Sequence, residues 1–84
     1  MSKRLNLKQP WRDLRPTQLL KISPYLYAKF ELSNPTGSIK DRPIRYIVSK
    51  AIEDGLINTE TTLVEASSGN TGISLCAIGA SLGL

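Results

Sequence analysis

Apolar and polar residues alternate with period two across residues 25–32. Leu26, Ala28, Phe30 and Leu32 fall on one side, and Tyr25, Tyr27, Lys29 and Glu31 on the other. That period predicts a half-buried β-strand. A shorter apolar run at 18–22 precedes it, with Ser23-Pro24 as a turn signal, so the two segments are expected to pair as a hairpin. Past the turn formers of 34–38 the period changes. Ile44, Ile47, Val48, Ala51 and Ile52 recur at i, i+3, i+4, i+7 and i+8, which is one helical stripe. Arg45, Lys50, Glu53 and Asp54 lie off it, and Gly55 is a natural helix stop. Residues 61–66 read as a short strand entering the loop SSGNTG. Residues 71–82 read as a second helix ended by Gly83. This helix is apolar nearly all round, including Cys76, and is expected to be buried on more than one side. Residues 1–16 show no sustained period, and Trp11 is their candidate anchor.

A helix–strand–helix order leading into a tight turn predicts a further parallel strand. The fold class is therefore α/β: a short β-hairpin followed by helix–strand–helix, an incomplete parallel-sheet domain. The organisation expected is a basic N-terminal arm at 1–16 and a partial domain at 17–84, the opening portion of a larger architecture.

Composition narrows the chemistry. The chain has 84 residues, 40% hydrophobic, with one cysteine and no histidine. No intramolecular disulfide, cysteine-based metal framework or His-based nucleophilic triad is possible within it. Cys76 is expected to be a small buried hydrophobe. No apolar run is long enough to span a membrane, and no signal peptide is legible, so a cytoplasmic location is expected. The formal charge is +4, and it is concentrated in the first 21 residues. Basic runs can bind phosphates, but without aromatic interleaving no nucleic-acid partner is expected.

Two motifs carry chemistry. In GSIKD, Ser38 and Asp41 have capping-box spacing, which puts Lys40 at the second helical position. Pro43 argues for a regular helix starting nearer Asp41, with Lys40 in the entry turn. At either place the helix dipole disfavours the ammonium, and partial burial would act the same way. A neutral amine is what condenses with a carbonyl. Taken alone, GSIKD is better explained as a plain capped helix start, since capping boxes and lysines are both common. In EASSGNTG, a loop of small residues opens a helix whose free N–H groups suit an anion such as a carboxylate or phosphate. The pattern is neither a P-loop nor GxGxxG. Alone it fits an N-capping turn as readily.

Together, with Asn70 thirty positions after Lys40, the motifs are far more specific. KFELSNPTGSIKDRPIRYIVSKAIEDGLI followed by TTLVEASSGNTGISLCAIGASLGL resembles the N-terminal portion of the fold-type II, tryptophan synthase β-like pyridoxal-phosphate enzymes. Within them it is most similar to the cysteine synthase and cystathionine β-synthase group. The resemblance implies that Lys40 carries pyridoxal 5′-phosphate and is the catalytic residue. It implies that Asn70 hydrogen-bonds the cofactor's ring hydroxyl. Ser67, Ser68, Gly69, Asn70 and Thr71 would grip the substrate carboxylate. The family usually carries threonine where Ser67 stands, so the hydroxyl is kept.

The activity so implied is β-replacement or β-elimination on an O-activated serine-type amino acid, with threonine synthase-like and dehydratase-like chemistry as alternatives. The glycine-rich loop for the cofactor phosphate and the contact to the ring nitrogen are expected beyond residue 84. This chain alone is therefore expected to be inactive. A homo-oligomer or a complementing polypeptide is the expected partner, besides the amino-acid substrate. The competing reading is a non-catalytic remnant that associates through exposed apolar helix faces.

Overall fold

The computed structural model describes residues 3–84. Its elements run β1 (Leu19–Ser23), β2 (Leu26–Lys29), a 3₁₀ turn (Glu31–Ser33), α1 (Asp41–Glu53) and α2 (Asn70–Ser81). The molecule is elongated, 57 × 26 × 18 Å. It is a small α/β arrangement: an antiparallel hairpin beside a pair of packed helices.

The hairpin pairs Leu19 with Lys29, Leu20 with Ala28, and Lys21 with Tyr27, then slips at a bulge before Ser23 meets Leu26. The second strand is shorter than its alternation suggests. Asn34 ends it by donating from its side chain to the Glu31 carbonyl at 2.8 Å, which curls residues 31–33 into the 3₁₀ turn. The expected half-burial does not occur. Leu26, Ala28, Phe30 and Leu32 are all exposed, because the core forms elsewhere.

That core joins three parts of the chain. Leu5 and Trp11 from the N-terminal segment, Ile44, Val48 and Ile52 from α1, and Ile78 from α2 are buried together. Ile44, Val48 and Ile52 lie on one i, i+4, i+8 line. Ile47, at the edge of the predicted stripe, is exposed instead. The N-terminal segment is fixed by the second face of α1: Arg45 donates from Nε to the Trp11 carbonyl at 2.9 Å and from Nη2 to the Arg12 carbonyl at 2.7 Å. Trp11 thus serves as the anchor of its segment.

Both helices end alike. Gly55 adopts φ +72°, with Leu56 N–H donating to Ala51 and Gly55 N–H to Ile52. Gly83 adopts φ +77°, with Leu84 N–H donating to Gly79 and Gly83 N–H to Ala80. These are paired Schellman closures that need left-handed backbone.

Three expectations are corrected. Residues 61–66 form no strand, since among the described residues no strand lies beside them to make a ladder. They are held by packing: Leu63 sits where a Cβ on Gly79 would meet its Cδ1 at 3.0 Å. Helix α2 is buried on one side only, through Ser74, Ile78 and Gly79, whereas Ile73 is exposed. Cys76 lies on the open side and is exposed, not buried. Among the described residues no helix is long and apolar enough to cross a membrane.

Candidate functional site

Lys40 is the residue immediately before α1, with helical backbone angles and no side-chain cap. The capping box does not form, and the later helix start that Pro43 argues for is the one observed. Pro43 stands at the third position of α1, where its missing N–H has no intrahelical acceptor to lose. Ser38 Oγ accepts instead from Lys40 N–H at 3.3 Å, and the Lys40 carbonyl accepts from Ile44 N–H at 3.1 Å. The lysine's main chain is held on both sides. Its side chain is exposed, so burial adds nothing to the dipole's effect, and among the described residues its amine makes no hydrogen bond or ion pair.

The Asp41 carboxylate, which the capping box would turn onto α1, points away from that helix's amides. It is completely buried. Its Oδ2 accepts from Thr36 N–H at 2.7 Å, and its Oδ1 from Thr36 Oγ1 at 2.5 Å and from Ser74 Oγ at 2.7 Å. The first two bonds close the turn before Lys40. The third crosses to α2. Ser74 lies one turn past Asn70, about 6 Å along the helix axis. The starts of the two helices are thereby drawn to one corner.

At that corner the 67–72 loop opens α2. Ser67 Oγ accepts from Gly69 N–H at 3.2 Å and from Gly72 N–H at 3.1 Å, a remote substitute for an N-cap. The fit is close, since a Cβ on Gly72 would come within 3.3 Å of the Ser67 Cβ. Asn70 and Thr71, as the first two residues of α2, have amides without intrahelical acceptors. No acidic side chain lies in that first turn. The positive end of the helix dipole suits an anion, and the nearest acid in the surrounding groove is Glu65, outside the helix.

Ser67, Ser68, Gly69, Gly72 and Ile73, with Glu65, line an open groove of about 730 Å³. Lys40, Asn70 and Thr71 do not line it. Lys40 and the loop are thus joined through Asp41 and Ser74, and this groove holds the loop without the lysine. Among the described residues no cluster of three metal-ligating side chains occurs.

Thr36 and Ser74 are the residues that pattern reading missed. Ser74 carried a usable signal: it is a hydroxyl on the same line as Ile78 in an otherwise apolar helix, and such a buried hydroxyl needs a partner.

A second polar cluster holds the hairpin to α1. The Glu31 carboxylate accepts from Thr17 Oγ1 and, at 3.1 Å, from Asn34 Nδ2, and lies 3.6 Å from Arg42 Nε. The Thr17 bond first, then the Asn34 bond, with help from the Arg42 and Lys29 charges, holds its carboxyl below the usual range.

Residues 10–84 match the family model described as pyridoxal-phosphate dependent enzyme. An N-(2-amino-2-carboxyethyl)-L-glutamate synthase of Cupriavidus metallidurans is 51% identical over 53 residues, which is 63% of this chain and 16% of the relative. A cysteine synthase B of Campylobacter jejuni is 50% identical over 66 residues, which is 79% of this chain and 22% of the relative. The chain thus spans about a fifth of the length of these curated relatives. No solved structure matches it.

Proposed function

Because the chain belongs to the family of pyridoxal-phosphate-dependent enzymes, matched over residues 10–84, we propose that the protein carrying it replaces the β-substituent of an O-activated serine-type amino acid. The cofactor is pyridoxal phosphate. The names of the two relatives support the choice of substrate. Cysteine is a 2-amino-2-carboxyethyl group on sulfur, and the other product carries the same group on the nitrogen of glutamate. The shared unit is a three-carbon amino acid activated at Cβ.

The residues present fit one end of the cofactor in kind. A primary amine and a side-chain amide match the cofactor's aldehyde and ring hydroxyl, and a helix start with free N–H groups matches the substrate's carboxylate. Lys40 would hold the aldehyde end through Nζ, and Asn70 would hydrogen-bond the ring hydroxyl. The amides and hydroxyls of Ser67, Ser68, Gly69, Asn70 and Thr71 would orient the substrate carboxylate. When bound, pyridoxal phosphate supplies an electron sink for negative charge at the amino acid's Cα. Lys40 Nζ would move the Cα proton as general base.

The observation that carries this reading is the corner itself, where the turn carrying an unpaired lysine is linked to a helix start with free N–H groups by the buried Ser74–Asp41 hydrogen bond. Turnover tests it. In the longer protein that carries this segment, release of the β-substituent from O-acetylserine in the presence of sulfide should fall to background on Lys40→Ala. Unchanged turnover would remove Lys40 from the mechanism.

The exposed apolar residues favour a second reading, association with further polypeptide. Leu26, Phe30 and Leu32, from one short segment, are 56%, 40% and 70% exposed; a run of exposed apolar residues, unlike scattered single ones, marks a contact surface. Sedimentation of the chain with a full-length relative should show a complex. Two independent boundaries would exclude it.

A further inference from the structure

We propose that Asp41 is a positioning residue, tying the turn that carries Lys40 to the helix that opens the 67–72 loop. The proposal rests on the assignment of those two segments above, though the tie itself is geometric. A carboxylate that is fully buried is retained only where its oxygens are matched by donors. Asp41 stands at the first position of α1, where a carboxylate ordinarily caps its own helix. It does not do so here. Two of its bonds stay within its own turn, to Thr36 N–H and Thr36 Oγ1. The third comes from Ser74, 33 positions later and equally buried. That bond joins the beginning of one helix to the first turns of the other. Meanwhile the Lys40 main chain is clamped between Ser38 and Ile44, leaving only its side chain free. Movement of α2 is therefore passed to the base of the lysine, and the reverse.

Ser74→Ala removes the crossing bond and leaves both Thr36 bonds in place. Amide hydrogen exchange on the 84-residue chain should then quicken in residues 36–41 and 70–72 together, by about tenfold. Thr36→Val, which keeps the crossing bond, should quicken 36–41 alone. Faster exchange confined to α2 in Ser74→Ala would overturn the tie. The second readout is chemical. The chain is incubated with pyridoxal phosphate and reduced with borohydride, and the adducts are mapped by mass spectrometry. The ratio of label on Lys40 to label on Lys50 should fall several-fold in Ser74→Ala while helical circular dichroism is kept. An unchanged ratio in the folded variant would mean that the tie does not present Lys40. If the wild type shows no preference for Lys40, the cofactor assignment fails, and the exchange result alone decides the tie. Where Ser74→Ala does not hold the fold, Ser74→Cys, of similar size but a far weaker donor, is read in the same way.

Discussion

Ser74 Oγ donates to Asp41 Oδ1 at 2.7 Å, and neither residue reaches solvent. This bond is the polar counterpart of the apolar packing between α1 and α2. Its stability consequence is separate from its positioning role. Asp41→Ala strands a buried hydroxyl and a backbone N–H, and should lower the unfolding free energy by about 3 kcal/mol. Ser74→Ala, which leaves Asp41 with two partners, should cost about 1 kcal/mol. Urea unfolding monitored by circular dichroism measures both. Equal losses would mean that the Thr36 bonds contribute nothing.

The 67–72 loop makes a similar prediction. Ser67 Oγ receives the N–H groups of Gly69 and Gly72. Ser67→Ala should cost about 1 kcal/mol, the usual effect of losing a helix cap. Exchange at the Gly72 amide should rise in the same variant. A slow Gly72 amide in Ser67→Ala would show that something other than the hydroxyl closes the loop.

Glu31 sets a pH dependence. Its carboxyl is lowered from an ordinary value of 4.5, chiefly by the Thr17 hydroxyl and then by Asn34. A lowered folded-state value means that the carboxylate contributes stability above about pH 4.5, and that this is lost as pH falls through the folded value. Urea midpoints between neutral and acid pH should therefore fall in the wild type. Glu31→Gln should flatten that acid limb. An identical limb in Glu31→Gln would assign it to other carboxylates.

The glycine stops are tested by one methyl group. Nothing lies within 4 Å of a Cβ built on Gly55 or Gly83, so alanine there meets only the cost of left-handed backbone. Each substitution should lower stability by about 1 kcal/mol, read as a shift in thermal midpoint. No shift would mean that the closure relaxes at no cost.

Much of this was legible because it is local. The hairpin pairing, the i, i+4, i+8 line of Ile44, Val48 and Ile52, and the stops at Gly55 and Gly83 follow from periods and backbone preferences. Lys40 and the SSGNTG loop stood out as chemistry placed at helix starts. What did not follow depends on neighbours. Residues 61–66 have strand composition but, among the described residues, no partner strand, and a ladder needs two strands. Leu26 and Leu32 alternate correctly yet face solvent, since a period shows which side matches and not what covers it. The Asp41–Ser74 bond joins residues 33 positions apart, and spacing within GSIKD instead suggested a capping box.

The central claim is that Lys40 is the cofactor anchor. Incubation with pyridoxal phosphate, borohydride reduction and peptide mapping tests it on the chain as it stands. The account predicts a reduced adduct on Lys40 well above that on Lys29, Lys50 or the N-terminal lysines. A label spread evenly over the lysines, or one that spares Lys40, would contradict it.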